Sequence, residues 1–155
     1  MVYIILLAIV TVSFLFIFQI LRKEKQMKIN NFFKTFDQLN SSLKIATQTL
    51  YDILSVVENE VQTGISERVN LLERQIDTLS NCIYQLSIIK ENCLLPEMRE
   101  TCVHTMALLQ HAVKKTTIQL FNMGFIAHDF RDYFLKVTEY RLKLIKLEKE
   151  FTGSQ

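Results

Sequence analysis

Apolar residues recur at alternating steps of three and four from residue 29 to residue 151. Ile29, Phe32, Phe36, Leu39, Leu43, Ala46, Leu50, Ile53 and Val57 make a first stripe, and Ile65, Val69, Leu72, Ile76, Leu79, Ile83 and Leu86 a second. Cys102, Met106, Leu109, Val113, Thr116, Leu120 and Met123 make a weaker third. Ile126, Phe130, Tyr133, Val137, Tyr140, Leu144, Leu147 and Phe151 make a fourth. Steps of three and four return to the same side of an α-helix, so each stripe predicts a helix with one apolar seam. Phe33, Leu54 and Val61 widen the first seam, and Leu71 and Ile89 widen the second. A broad apolar face suits a closed bundle better than a two-stranded zipper.

Helix breakers fall between the stripes. They are Thr63-Gly64, Leu94-Leu95-Pro96, Asn122-Met123-Gly124 and the tail Thr152-Gly153-Ser154-Gln155. They divide the chain after residue 28 into four segments, about 29–62, 65–93, 97–123 and 126–151. Segments of similar length joined by short turns favour antiparallel neighbours. The expected fold is therefore all-α, with an antiparallel four-helix bundle over 29–151 and a tail over 152–155.

Ahead of the seams the pattern changes. Residues 2–21, VYIILLAIVTVSFLFIFQIL, contain no charged side chain. Twenty helical residues at about 1.5 Å each span roughly 30 Å, the thickness of a bilayer's hydrocarbon layer. Tyr3 stands where an interfacial aromatic anchors one end. The expectation is a transmembrane helix over 1–21, single-pass. A cleaved signal peptide would want a basic start and a small-residue cleavage site, and Gln19-Ile20-Leu21-Arg22 is neither. Arg22, Lys23, Lys25 and Lys28 follow in a basic juxtamembrane segment, 22–28, suited to the membrane surface. The positive-inside rule then puts the N-terminus outside and the C-terminal domain in the cytoplasm, or on the matrix side of an organelle. No breaker precedes Gly64, so the anchor can run unbroken into the first bundle helix, with weak points at Asn30-Asn31 and Asn40-Ser41-Ser42.

Composition agrees. Three glycines and one proline among 155 residues are too few for the tight turns of β or α/β folds. A net charge of +2 does not point to nucleic acid as a partner. Residues 45–100 carry four basic and nine acidic side chains, and residues 101–155 carry eight and five, so the two halves complement each other within one bundle or between copies. Asp132–Lys136 and Glu139–Lys143 have the spacing of helix-surface ion pairs. Lys143, Lys146 and Lys149 fit either a solvated face or an anionic leaflet. Cys82, Cys93 and Cys102 match no zinc or redox spacing and read as small apolar core residues in a reducing compartment.

Candidate chemistry is sparse. Arg99-Glu100-Thr101-Cys102-Val103-His104 is an Arg-x4-His string near the start of the third helix. It resembles the motif of the HEPN ribonucleases, compact helical bundles in which paired Arg and His residues act on RNA across a dimer interface. The resemblance covers six of the 155 residues and implies a membrane-anchored ribonuclease or defence effector using Arg99 and His104. His104 shares its helix face with Leu108, His111 and Lys115. Two turns of helix separate His104 from His111 by about 10 Å, too far to share one metal ion unaided. No metal or cofactor is expected.

The turns carry a sharper signal. Bundle connections are normally polar, yet these read Cys93-Leu94-Leu95-Pro96 and Phe121-Asn122-Met123-Gly124-Phe125-Ile126. Phe121, Met123, Phe125 and Ile126 are therefore candidate partner-binding residues. The reading favoured is a non-enzymatic, single-pass membrane protein that presents its bundle as a tether, scaffold or accessory subunit. Its partners are the lipid bilayer and other protein subunits or a second copy. A phage inner-membrane spanin-like lysis protein has a similar layout with its domain outside the cytoplasm, against the charge flanks here. A chemoreceptor-like sensor would need a second span.

Overall fold

The computed structural model describes residues 2–58, 65–122 and 127–153, with side chains described over 12–58, 66–118 and 129–153. It has four helices, α1 (Val2–Glu58), α2 (Ile65–Asn92), α3 (Pro96–Asn122) and α4 (Ala127–Gly153), and no strand among the described residues. The chain divides into two units, Met1–Lys34 and Thr35–Gln155. The all-α expectation and the four-helix bundle hold.

In the first unit, α1 is continuous through Asn30-Asn31, so the asparagines do not break it. Val12, Phe14, Leu15, Phe16, Ile17, Phe18, Ile20 and Leu21 are all exposed, whichever way they point. Arg22, Lys23, Lys25 and Lys28 are exposed on the turns that follow. Phe32 is buried, with the Phe33 ring edge-on to it at 5.4 Å. Among the described residues no helix is long and apolar enough to cross a membrane. The side chains of residues 2–11 lie outside those described, and the remaining apolar stretch, 12–21, is half the length of a span.

The second unit is built on the seams. From Phe36 to Val57 every position expected on the first stripe is buried, and Leu54 joins it. Leu72, Leu79 and Leu86 are buried on α2, and Phe130, Val137 and Leu144 on α4. On those two helices the alternate seam positions, Val69, Ile76, Ile83, Tyr133, Tyr140 and Leu147, are only half-buried. On α4 every seventh residue thus reaches the centre, while on α2 Cys82 and Ile89 are buried as well, so its inward face lies one residue before the expected alternate positions.

The third seam is corrected. α3 buries Met98, Cys102, Thr105, Leu109, Ala112 and Thr116, while Met106 and Val113 stay half-buried. The same 3,4 alternation is present, but two small residues occupy the centre and the larger apolar ones sit beside it. A threonine and an alanine at the centre let a helix approach its neighbours closely, leaving no room there for methionine. α1 carries a similar feature. Thr35, Ser42 and Thr49 are buried one heptad apart, beside the leucine seam. Thr49 satisfies its hydroxyl on the Ile45 carbonyl at 2.8 Å, and Thr116 on the Ala112 carbonyl at 2.8 Å.

Neighbouring helices run antiparallel. α2 ends at Asn92 and α3 begins at Pro96, whose missing N–H costs nothing at the first helical position. Glu97 in that first turn suits the positive end of the helix dipole. α3 and α4 are tied by Lys115 to Asp129 at one end and by His104 against Tyr140 further along. α1 and α4 are tied by Arg131 to Glu58, Phe134 against Tyr51 and Arg141 to Asn40. The expected surface pairs Asp132–Lys136 and Glu139–Lys143 form at 2.8 and 2.7 Å.

Candidate functional site

α3 presents two different faces to two neighbours, and the candidate chemistry divides between them. At 100° per residue, the five positions from Arg99 to His104 turn about 140° around the helix. His104 faces α4, its ring 6.0 Å from the Tyr140 ring and inclined 35° to it. Arg99 is exposed, does not line the groove beside His104, and its charge acts on Cys93 instead. The Arg-x4-His string is therefore not one site within the chain. Its two members serve separate surroundings.

On the α4 side, the half-buried flanking positions leave an open groove of about 380 Å3 between α3 and α4. Glu97, Glu100 and His104 line it from α3, and Tyr140, Lys143 and Leu147 from α4. Its charges are largely answered locally. Lys143 pairs with Glu139 and rests 5.9 Å from the centre of the Tyr140 ring, and Lys146 reaches Glu150 at 3.7 Å. The Glu139 carboxylate, by its hydrogen bond, holds the Lys143 ammonium above its usual range. Lys115, on the face expected to be shared with His104, bonds Asp129 and stands 6.0 Å from the centre of the Tyr133 ring. Among the described residues no group of three His, Cys, Asp or Glu side chains is placed to hold a metal ion.

The α2 side holds the chemistry that sequence reading missed. Cys93, just past the end of α2, and Cys102, in the second turn of α3, place their Sγ atoms 4.0 Å apart. Both are buried, at 6% and 0% exposure. The Cys93 thiol also donates to the Ile89 carbonyl at 3.3 Å. The hydrogen bond shared with Cys102 lowers the Cys93 thiol below the ordinary range against the effect of burial, and the Arg99 guanidinium adds to the lowering. The same hydrogen bond, together with burial, pushes Cys102 far up. Cys82, also buried, is raised by burial alone. The available signal was the placement of Cys93 and Cys102 on either side of Pro96. A helix-breaking turn brings such residues together, where spacing within one helix would not.

Of the expected partner-binding residues, Phe121 falls in α3 with its side chain outside those described. Met123, Phe125 and Ile126 lie outside the described residues altogether. Leu94, in the other apolar turn, is 51% exposed. Arg22, Lys23, Lys25 and Lys28 occupy successive directions around α1, so they form a collar and not a one-sided patch. No family model, no curated protein and no solved structure matches this chain.

Proposed function

We propose that the chain is a non-enzymatic, single-pass membrane protein whose bundle acts as a tether, scaffold or accessory subunit of a membrane complex. One observation carries the reading. The uncharged stretch 2–21 is followed at once by a basic collar, and in its described part, 12–21, every side chain is exposed. Phe14, Phe16 and Phe18 are 71%, 65% and 58% exposed. Burying one such side chain is worth about 1.5–3 kcal/mol, so a helix apolar on all sides calls for apolar surroundings. A bilayer supplies them, and the collar from Arg22 to Lys28 suits a cytoplasmic or matrix-side surface. In this reading the bundle binds protein subunits or a second copy, with Phe121, Met123, Phe125 and Ile126 as the contact.

The test is alkaline carbonate extraction of membranes carrying the full chain, with protease protection of a C-terminal tag. The protein is expected in the membrane pellet, and its tag should be cleaved only after the cytoplasmic side is opened. Release into the supernatant rejects the anchor. Cleavage of the tag from outside intact cells reverses the orientation and favours the spanin-like layout. Changing Phe121 and Phe125 together to Ser should remove co-purifying subunits or higher oligomers while the melting temperature is kept. Unfolding of that variant assigns both rings to the core.

A further inference from the structure

We propose that Cys93 and Cys102 are a redox pair, which a hydroperoxide converts to a disulfide across the turn between α2 and α3. The inference does not depend on the membrane reading. Its geometric basis is the 4.0 Å separation of the two Sγ atoms in a buried contact that the turn itself creates. A disulfide needs its sulfurs about 2.05 Å apart, so one or both must shift by roughly 2 Å. Cys93 can supply that movement. It follows the last residue of α2, in the non-helical stretch 93–95, and its backbone N–H makes only a long contact, 3.4 Å, to the Lys90 carbonyl.

The two thiols are unequal in the way such a reaction requires. Cys93 shares a hydrogen bond with Cys102 and has the Arg99 charge nearby, and both favour its thiolate, the nucleophilic form. Cys102 keeps its proton. The Cys93 thiolate attacks one peroxide oxygen, the O–O bond breaks, and the departing oxygen takes up a proton to leave as water or an alcohol. Cys93 is then a sulfenic acid. The Cys102 sulfur attacks the Cys93 sulfur and forms the S–S bond. The C–S bonds are untouched, the S–O bond breaks, and the Cys102 proton leaves with the hydroxide as a second water. In all, two thiols lose two electrons and two protons, and one hydroperoxide is reduced. The product ties the end of α2 to α3 and closes a short ring around Leu94, Leu95 and Pro96, the exposed apolar turn.

The full chain in detergent, exposed to hydrogen peroxide and digested without reductant, is the test. Mass spectrometry is expected to find the Cys93 and Cys102 peptides joined and lighter by two hydrogens, with Cys82 unmodified and the link lost on adding dithiothreitol. Cys102→Ala should stop the reaction at Cys93 sulfenic acid, trapped by dimedone, and Arg99→Gln should slow the wild-type reaction several-fold at neutral pH. Oxidation of Cys82 at the same rate, or linkage of Cys93 to any sulfur but Cys102, overturns the proposal. The wild-type peptide map decides this even where a cysteine variant does not fold.

Discussion

Arg141 Nε donates to the side-chain oxygen of Asn40 at 3.0 Å, joining α4 to α1 across 101 residues of sequence. Both side chains are half-buried, so water competes only partly for the bond. Asn40 comes from the Asn-Ser-Ser stretch that looked like a weak point in the helix. The bond gives the asparagine a structural task and offsets some of its poor helix propensity. A hydrogen bond to a charged donor contributes about 1.5–3 kcal/mol at most, less where solvent reaches it. Asn40→Ala is expected to lower stability by about 1 kcal/mol, and Asn40→Asp, which keeps an acceptor oxygen, should recover most of the loss. Urea denaturation of the full chain in detergent, followed by circular dichroism, checks both.

Leu50, Leu79 and Leu109 are fully buried and Leu144 is 2% exposed, one on each helix. Replacing any of them with Ala removes buried methyl groups and leaves a cavity, at a cost of about 2–5 kcal/mol. Each single variant should melt well below the wild type. Unchanged melting from three of the four would be incompatible with a shared core.

Thr105 is fully buried, and its hydroxyl has no hydrogen-bond partner among the described residues. Thr116, on the same seam, has one. An unmatched buried hydroxyl costs about 1–3 kcal/mol, and a methyl of the same shape does not. Thr105→Val is therefore expected to stabilise the fold by about 1 kcal/mol, whereas Thr116→Val should gain nothing. Paired denaturation curves distinguish the two positions, since both substitutions change volume alike.

The hydrogen bond from Lys115 to Asp129 raises the lysine above its ordinary value of 10.5. A folded value above the unfolded one means that the contribution is complete below the unfolded value. It is lost as pH rises through the folded value. Asp129→Asn removes the partner and the upward shift together. The variant should melt below wild type at neutral pH, and the two should converge once the lysine is deprotonated above pH 10.5. Lys136 and Lys143 are raised by Asp132 and Glu139 in the same direction. They are common to both proteins and drop out of the comparison. Melting curves across the alkaline range give the result.

Much of the architecture was legible because helical seams are written in hydrophobicity. On α1 every expected seam position from Phe36 to Val57 is apolar and buried, so period and burial coincide, with Ser42 and Thr49 buried beside the seam. On α3 they part. Met106 and Val113 outrank Thr105 and Ala112 as hydrophobes, but helix rotation buries the smaller pair, and rotation is set by the neighbouring helices. The Arg99 and His104 string looked like a unit because the eye reads along the chain, while the helix separates its ends by about 140°. The Cys93–Cys102 contact depends on a turn, which periodicity within one helix does not describe. Phe121, Met123, Phe125 and Ile126 stand out for being apolar in and beside a turn, and apolarity there does not fix which way a side chain faces.

The polar ties along α4 also carry information that the leucine seams lack. Val137 and Leu144 stand one heptad apart and are alike enough that α4 could slip by seven residues and keep an apolar centre. The edges would not allow it. In the slipped register Lys115 meets Lys136 where it now meets Asp129, Asn40 meets Glu148 in place of Arg141, and Glu58 exchanges Arg131 for Thr138. A match becomes a like-charge repulsion, and the other two ties lose the arginine charge, keeping at best a neutral donor to a carboxylate. The core makes helix association favourable in several alignments, and the flanking pairs leave one of them.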